Sequence, residues 1–580
     1  MPRKRTQTPF KDLVAVFERL EQTSSSLAMI DTLAEFLPNL TPTEVKLTAY
    51  LLRGEVGPTF VASEFGLAQN MVIRALAQAY QQTEDRIKNA FFKAGDLGLV
   101  AKDLTSGRGG HLTIAQVFDV LESIAKTKGK GSQQAKVNLL VCLLSQAAAR
   151  EAKYVVRTIL GTHRIGVAEM TFLYGLAKGF TGKKHAKRIL ESAYNVLSDL
   201  GEVAYRLADR GIASLERVKP SPGVPVRMML ASRVKDLDEV TSHLSGRLFV
   251  EYKYDGERVQ IHKDNDGGIY AFSRRLENIT HQYPEIIEQA SKILRAREAI
   301  VEGEVVAIDP KTGKLQPFQV VMQRKRKHDI ERYRAEVPVA LFLFDLLYLD
   351  GRDVLTLPLA KRKEMLVKHI IETRNVRVGK FMKTGEMTEV ESYFQNAVAK
   401  GAEGVVIKGA ESPYQAGHRG WHWIKFKREY QKELADSFDV VIVGALYGRG
   451  HRAGSYGSVL AASFDPKTNK YYSFTKVGAG FTDKVLKSLP GILEPYVVPE
   501  KHRLVETGMP ADVWFEPVKV IEISGADLTI SPVHTVARDK LKEGGLALRF
   551  PRFLRWRDDK TAEQTTTVQE IWDIYKPGRR

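Results

Sequence analysis

The sequence predicts a multidomain chain with an all-α N-terminal domain, a central α+β domain and a C-terminal small β-barrel. Three observations carry that reading. Apolar residues recur at helical spacing from Thr8 to about Leu215, a stretch long enough for a whole helical domain. A proline-rich segment, Lys219-Pro-Ser-Pro-Gly-Val-Pro225, then separates it from short alternating strands mixed with helices. After about Glu429 only short strands punctuated by glycine remain. The expected boundaries are therefore 1–218, 219–428 and 429–580.

In the first region Thr8 and Pro9 supply a cap and first-turn signal for a helix bearing Phe10, Leu13, Val14, Phe17 and Leu20. Thr113 and Gln116 form an expected capping box ahead of Val117, Val120, Leu121 and Ile124. Cys142, the single cysteine of the 580 residues, lies in the apolar run Val137 to Leu144 and reads as a small core residue. One cysteine permits neither an internal disulfide nor a cysteine-rich zinc module. Basic loops rich in glycine lie between helices at Gly107–Gly110, Lys126–Ser132, Gly161–Gly166 and Thr181–Arg188. Such loops bring backbone N–H groups and cations together without bulk, which suits phosphate. With a net charge of +18 spread along the chain, they point to a nucleic-acid backbone as partner.

The start of the chain, Met1-Pro-Arg-Lys-Arg5, precedes no apolar segment, and the longest apolar stretch, Val337 to Leu349, contains Pro338 and Asp345. Neither a secretory leader nor a membrane span is expected, and a reducing cytoplasm or a nucleus is.

The central region holds the chemistry. Leu248, Val250, Tyr252 and Tyr254 alternate with Phe249, Glu251, Lys253 and Asp255, so Glu251 and Lys253 share one strand face. Asp255-Gly256 is turn chemistry and Val259 and Ile261 resume the alternation, which predicts a hairpin with Lys253 at its lip. Val301 to Ile308 reads as a strand presenting Glu302 and Glu304, Val339 to Phe344 as a buried strand ending at Asp345, and Gly404 to Lys408 as a strand led by Glu403. If Trp421 to Lys427 is a strand, Trp421, Trp423, Lys425 and Lys427 share a face. The basic run Arg324-Lys-Arg-Lys327 reads equally as a DNA contact or a solvated loop.

A lysine nucleophile must shed its proton although its reference pKa is about 10.4. Cations such as Arg258, Lys408, Lys425 and Lys427 would push that value down, as would desolvation, and would also bind a triphosphate. Glu304, Asp345 and Glu403 suit a hard cation bridging phosphate oxygens. The set points to nucleotidyl transfer through a phosphoramide. No Gly-x-Gly-x-x-Gly after a strand and no P-loop is present.

The third region carries strands at Val440 to Val443, Ser458 to Phe464, Tyr471 to Val477, Val518 to Ile523 and Ala547 to Arg549, with Gly448-Arg-Gly450 and Gly478-Ala-Gly480 between them. An OB-fold is the leading candidate because it recurs in nucleic-acid binding. The chain ends with the basic, aromatic segment Arg549 to Lys560 and a helix through Trp572 to Tyr575.

Taken together, the chain resembles an ATP-dependent DNA ligase with an N-terminal helical DNA-binding domain, over almost its whole length. The collinear motifs of the covalent nucleotidyltransferase superfamily stand as Lys253–Arg258, Phe272–Arg275, Val301–Glu304, Leu343–Asp345, Glu403–Lys408 and Trp423–Lys427, with Arg549–Lys560 as a further element. The resemblance implies that Lys253 accepts AMP, Glu251 reads the adenine amino group and Phe344 stacks on the base. It implies that Arg258 and Glu304 hold ribose and phosphate, and that Arg274 reaches the nick 5′-phosphate or AMP. Glu304 and Glu403 would place the metal, Lys408, Lys425 and Lys427 would contact the α-phosphate, and Arg552 and Lys560 would orient pyrophosphate from a mobile C-terminal domain.

The implied cofactors are ATP and Mg2+, with Mn2+ as an alternative. The implied partner is nicked duplex DNA met by a monomer in replication, repair and recombination, in a nucleoid-associated cytoplasm if the source is prokaryotic. A sliding clamp fits a replication ligase, but no motif in the chain identifies one. Departures from the family pattern are Met228, where relatives commonly carry proline, and Trp556, bulkier than the expected aliphatic residue.

Rival readings are a capping guanylyltransferase, which has no need of the long helical region, an NAD-dependent ligase, which would carry a cysteine-rich module, and a non-catalytic DNA clamp.

Overall fold

The computed structural model describes residues 7–61, 64–105, 110–163, 165–183, 185–234, 236–325, 330–427, 437–448 and 455–575. Two compact units result, Met1–Phe426 and Lys427–Arg580.

The first unit begins with helices, from Phe10–Glu21 to Ala213–Glu216. Helical periodicity becomes a shared core in which Phe17, Leu33, Val45, Tyr154, Phe172 and Leu176 are all buried. Thr113 and Gln116 form both bonds of the capping box at Ile114–Lys126. Thr8 is no cap: Pro9 takes the N-cap of Phe10–Glu21, and the Thr8 N–H donates to Glu44 instead. Cys142 is exposed, not core. In the helix Ser132–Gln146 the inward stripe is Val137, Leu140 and Leu144, and position 142 falls outside that helical spacing. Of the basic loops, residues 107–109, 164 and 184 lie outside the described residues, as do Arg326 and Lys327 of the later basic run and Arg449 and Gly450.

The strands that follow are, in chain order, β1 (Leu230–Arg233), β2 (Leu248–Lys253), β3 (Glu257–Lys263), β4 (Ile269–Ser273), β5 (Ala299–Ala307), β6 (Val339–Leu349), β7 (Arg352–Asp353), β8 (Val376–Val378), β9 (Phe381–Thr384), β10 (Gly404–Gly409) and β11 (Arg419–Lys427). They build two sheets, one ordered β1-β11-β10-β2-β9, the other β4-β3-β5-β6-β7 with β8 on β6. The expected hairpin at Asp255-Gly256 therefore does not form. β2 pairs with β10 and β9 while β3 pairs with β4 and β5, and the turn carries the chain from one sheet to the other. Gly256 permits the crossing, since a Cβ there would lie 2.3 Å from the Val305 carbonyl oxygen. The proline-rich segment packs on β3: the Gly223 N–H donates to His262 Nδ1 and the Val226 N–H to Gln260 Oε1.

In the second unit β12 (Phe438–Tyr447), β13 (Tyr456–Asp465) and β14 (Lys470–Val477) form an antiparallel meander. Short strands β15 (Val497–Val498), β16 (Val505–Glu506) and β17 (Val513–Phe515) extend it, and β18 (Val520–Ser524) joins β12. A separate ribbon pairs β19 (Asp527–Ser531) with β20 (Gly545–Arg549), and β21 (Arg552–Trp556) pairs with β18. Phe438, Phe474, Ile521, Phe553 and Ile571 share the core of this sheet domain. Among the described residues these pairings do not close into a ring. Also among them, no helix is long and apolar enough to cross a membrane.

Candidate active site

Lys253 ends β2 opposite Gly404 of β10, and Glu251 lies opposite Val406. The strand alternation puts both side chains on one face of β2, and Glu304 of β5, in the other sheet, is among the charges that act on Lys253. Lys253 Nζ is 2.5 Å from Glu403 Oε2, and the Glu403 N–H donates to the Lys253 carbonyl at 2.9 Å. Burial alone would lower the Lys253 ammonium, but Glu403, Glu304 and Asp255 outweigh it and hold its pKa above the ordinary value. The sequence expectation of a lysine depressed by cations is thereby corrected: its nearest charges are carboxylates.

Those carboxylates are crowded. Burial pushes the Glu304 carboxyl up to about 7, with Glu403 and Asp255 adding to the rise and Lys253 and Arg258 opposing it. Asp255 is raised as well, by burial and then by Glu403, while its Oδ2 accepts from the Phe318 N–H at 3.1 Å. A negative cluster of this kind favours a cation. Among the described residues no three carboxylate, imidazole or thiol groups converge as a ready metal cage. Glu304 and Glu403 thus fit an ion that takes one or two carboxylates and fills its remaining positions with phosphate oxygens and water, as Mg2+ does.

Arg258 is held at both ends. Its Nη1 donates to the Met229 carbonyl and its Nη2 to the fully buried Glu302, each at 2.7 Å. The guanidinium also lies over the rings of Phe344 and Trp423, at 5.3 and 5.4 Å. Glu302 is therefore an anchor for Arg258 and Gln260. Arg274 is exposed in the turn after β4, where partial burial and then Arg258 and Arg419 lower its guanidinium.

Beside this polar cluster is an aromatic slot. Phe344 meets Trp423 edge to face, and Tyr414 backs Trp423. Lys408 Nζ sits 4.6 Å over Phe344 and 4.0 Å over Trp423 while pairing with Glu251 Oε2 at 2.7 Å. Burial, helped by Lys363 and opposed by Glu251, lowers Lys408 to about 8. The depressed lysine of this site is thus Lys408.

Three expectations need correction. Asp345 is fully buried in a two-point ion pair with Arg362, at 2.8 and 3.0 Å, so it is not disposed to bind a metal. Trp421 and Trp423 do not share a face. β11 bulges against β1 between Gly420 and Ile424, leaving Trp421 44% exposed and stacked on His243, while Trp423 is buried. Arg324, first of the basic run, is buried and spends its donors on Glu285 and the carbonyls of Gln282, Tyr333 and Val337.

Lys425 and Lys427 lie half-buried near the end of β11. In the second unit Arg552 is exposed, and Lys560 Nζ pairs with Asp439 at 2.6 Å next to the Arg557–Asp439 pair. Sequence reasoning missed Arg362 and Lys363. Both lie in the helix Leu359–His369, whose run Lys361-Arg-Lys363 has the look of a solvated face, and no local signal marks them as buried.

The middle of the chain, residues 228–427, matches the family described as ATP dependent DNA ligase domain. Residues 9–177 match DNA ligase N terminus, and residues 452–560 match ATP dependent DNA ligase C terminal region. A DNA ligase of Aeropyrum pernix is 43% identical and one of Staphylothermus marinus 44% identical, each over 98% of both chains. A DNA ligase of Saccharolobus solfataricus is 41% identical over 98% of this chain and 97% of its own. Among solved structures, the one titled Pmar-Lig_Pre superposes with a TM-score of 0.56 over 94% of this chain and 99% of its own, at 16% identity, a likeness of fold.

Proposed function

Because the chain belongs to the ATP-dependent DNA ligase family and seals nicks in DNA, we propose that Lys253 is the residue that takes AMP from ATP. The observation that carries this is the position of its amine, half-buried at the end of β2 and paired with Glu403, with Glu304 and Asp255 as its other charged neighbours. Neutral Nζ attacks the α-phosphorus, the bond to the β-phosphate oxygen breaks, and pyrophosphate leaves. Glu403, already in contact with Nζ, is placed to take the proton. The 5′-phosphate of the nick then attacks the same phosphorus and displaces Lys253. Finally the 3′-hydroxyl attacks the nick phosphate, and AMP leaves as the phosphodiester forms.

The remaining roles follow the chemistry of each position. Phe344 offers the base a ring face, and Glu251 an acceptor for its amino group. Arg258, anchored by Glu302, and Lys408, Lys425 and Lys427 offset phosphate charge. Arg274 meets the nick phosphate or AMP, and Arg552 and Lys560 orient pyrophosphate. A Mg2+ ion held by Glu304 and Glu403 would withdraw charge from the phosphate oxygens.

The assigned domains are 1–218, 219–428 and 429–580, the last as an OB-fold. The assigned partner is nicked duplex DNA gripped by its backbone by a monomer, with affinity that falls steeply with salt.

The test is incubation with α-labelled ATP and Mg2+ without DNA, followed by denaturing electrophoresis. Wild type is expected to keep an acid-labile label and Lys253→Ala none, while affinity for nicked duplex survives the substitution. Label on Lys253→Ala would overturn the assignment, and label from NAD or GTP but not ATP would overturn the cofactor.

A further inference from the structure

We propose that Lys363 is the positioning residue that sets base selectivity in the nucleotide pocket, an inference that rests on the roles given above to Glu251 and Phe344. Its ammonium, on a side chain only 2% exposed, lies 2.7 Å from Glu251 Oε1 and donates to the Phe344 carbonyl at 2.6 Å. One buried cation therefore ties together the acceptor and the ring that face the base. These two residues come from different sheets, Glu251 from β2 and Phe344 from β6. Lys408 bridges the same two residues, by its pair with Glu251 and its place over the Phe344 ring, so Lys363 is the tie that stays when Lys408 turns to phosphate.

The helix Leu359–His369 is built to deliver that cation. Leu359 and Leu366 are buried on its inner face, and Arg362 beside Lys363 clamps Asp345 and accepts no freedom of its own, donating also to the carbonyls of Leu357 and Ser412. Arg362 thus locks the helix to β6 one residue after Phe344, and Lys363 reaches from that fixed point to Glu251.

Glu251 divides its oxygens between two lysines, Oε1 to Lys363 and Oε2 to Lys408. Lys408 also occupies the face of Phe344 and Trp423. When a nucleotide draws Lys408 to its α-phosphate, Oε2 is released as an acceptor, and Lys363 keeps the carboxylate aimed. An adenine amino group donates to that oxygen. A guanine presents a carbonyl at the same ring position, and two acceptors face each other without a proton between them. Selectivity then depends on Glu251 being unable to rotate away, which is the restraint Lys363 supplies.

The experiment measures initial rates of DNA-free labelling of the full chain over a range of α-labelled ATP and GTP concentrations, for wild type, Lys363→Met, Lys363→Gln and Lys363→Arg, with Lys253→Ala as the blank. Lys363→Met is expected to raise KM for ATP about tenfold, leave kcat within about threefold, and reduce the ATP-over-GTP ratio of kcat/KM about tenfold. Lys363→Gln, which keeps a donor toward the Phe344 carbonyl and so protects folding, is expected to shift KM in the same direction. Lys363→Arg is expected to restore most of the selectivity. Wild-type KM and selectivity in folded Met and Gln variants would overturn the proposal, as would an equal loss of kcat for both nucleotides. Absence of label on the wild type would instead overturn the nucleophile assignment, and this proposal with it.

Discussion

Lys253 Nζ and Glu403 Oε2 are 2.5 Å apart, an ion pair between the end of β2 and the residue that leads into β10. The pair favours the ammonium of Lys253 over its free amine. The attack proposed above needs the free amine, so the proton that the pair retains has to pass to its contact partner Glu403.

Glu403→Gln is expected to lower the pKa of Lys253, because the carboxylate is the leading charge that raises it. An opposite charge favours the charged form, so its loss lets the proton leave at lower pH. The acid limb of DNA-free self-adenylation should move to lower pH, even as the maximal rate drops. A limb that stays in place or moves up would show that Glu403 does not govern the amine.

Gly256→Ala is expected to destabilise the central region and suppress self-adenylation together. Its Cβ would meet the Val305 carbonyl at 2.3 Å and the Glu304 side chain at 2.9 Å, so the crossing between sheets must shift beneath Lys253. Overpacking of this kind costs about 1–3 kcal/mol. Denaturant unfolding followed by tryptophan fluorescence measures it, and wild-type stability with wild-type labelling would contradict the account of the crossing.

Arg227 ties the helices to the segment that leads into β1. Its Nη2 pairs with Glu169 at 2.7 Å and donates to the Tyr194 hydroxyl, and its N–H donates to the Asn195 carbonyl at 2.8 Å. Glu169 is shared with Arg53. Arg227→Ala is expected to lower the rate of nick sealing about tenfold while DNA-free self-adenylation stays within about twofold, because only the DNA steps need the helical region and the nucleophile aligned. Equal losses in both assays would assign Arg227 to general stability.

Much of the fold was legible where the signal is local. Period two placed Glu251 and Lys253 on one face of β2, and the Thr113–Gln116 box marked the helix that it caps. The change of texture after Pro225 separated helices from strands, although the structure packs that segment on β3 within one unit. Composition also carried the basic, ligase-like character through charge and motif order.

What failed was partner choice. Asp255-Gly256 is a good hairpin turn by residue type, yet β2 and β3 part into different sheets. Asp345 carries the charge of a metal ligand, yet Arg362 claims it. Trp421 and Trp423 have strand spacing, yet a bulge turns one outward. Lys363, in a helix that reads as a solvated face, is among the most buried charges of the site.

The sequence by itself determined the element types, the candidate nucleophile and the family, because spacing and residue chemistry are properties of neighbours along the chain. Only the tertiary structure decided which charges oppose one another. Burial and pairing depend on residues as distant as Glu251 and Lys408, 157 positions apart, and so the protonation of Lys253, the fate of Asp345 and the reach of Lys363 are set by packing, not by any local pattern.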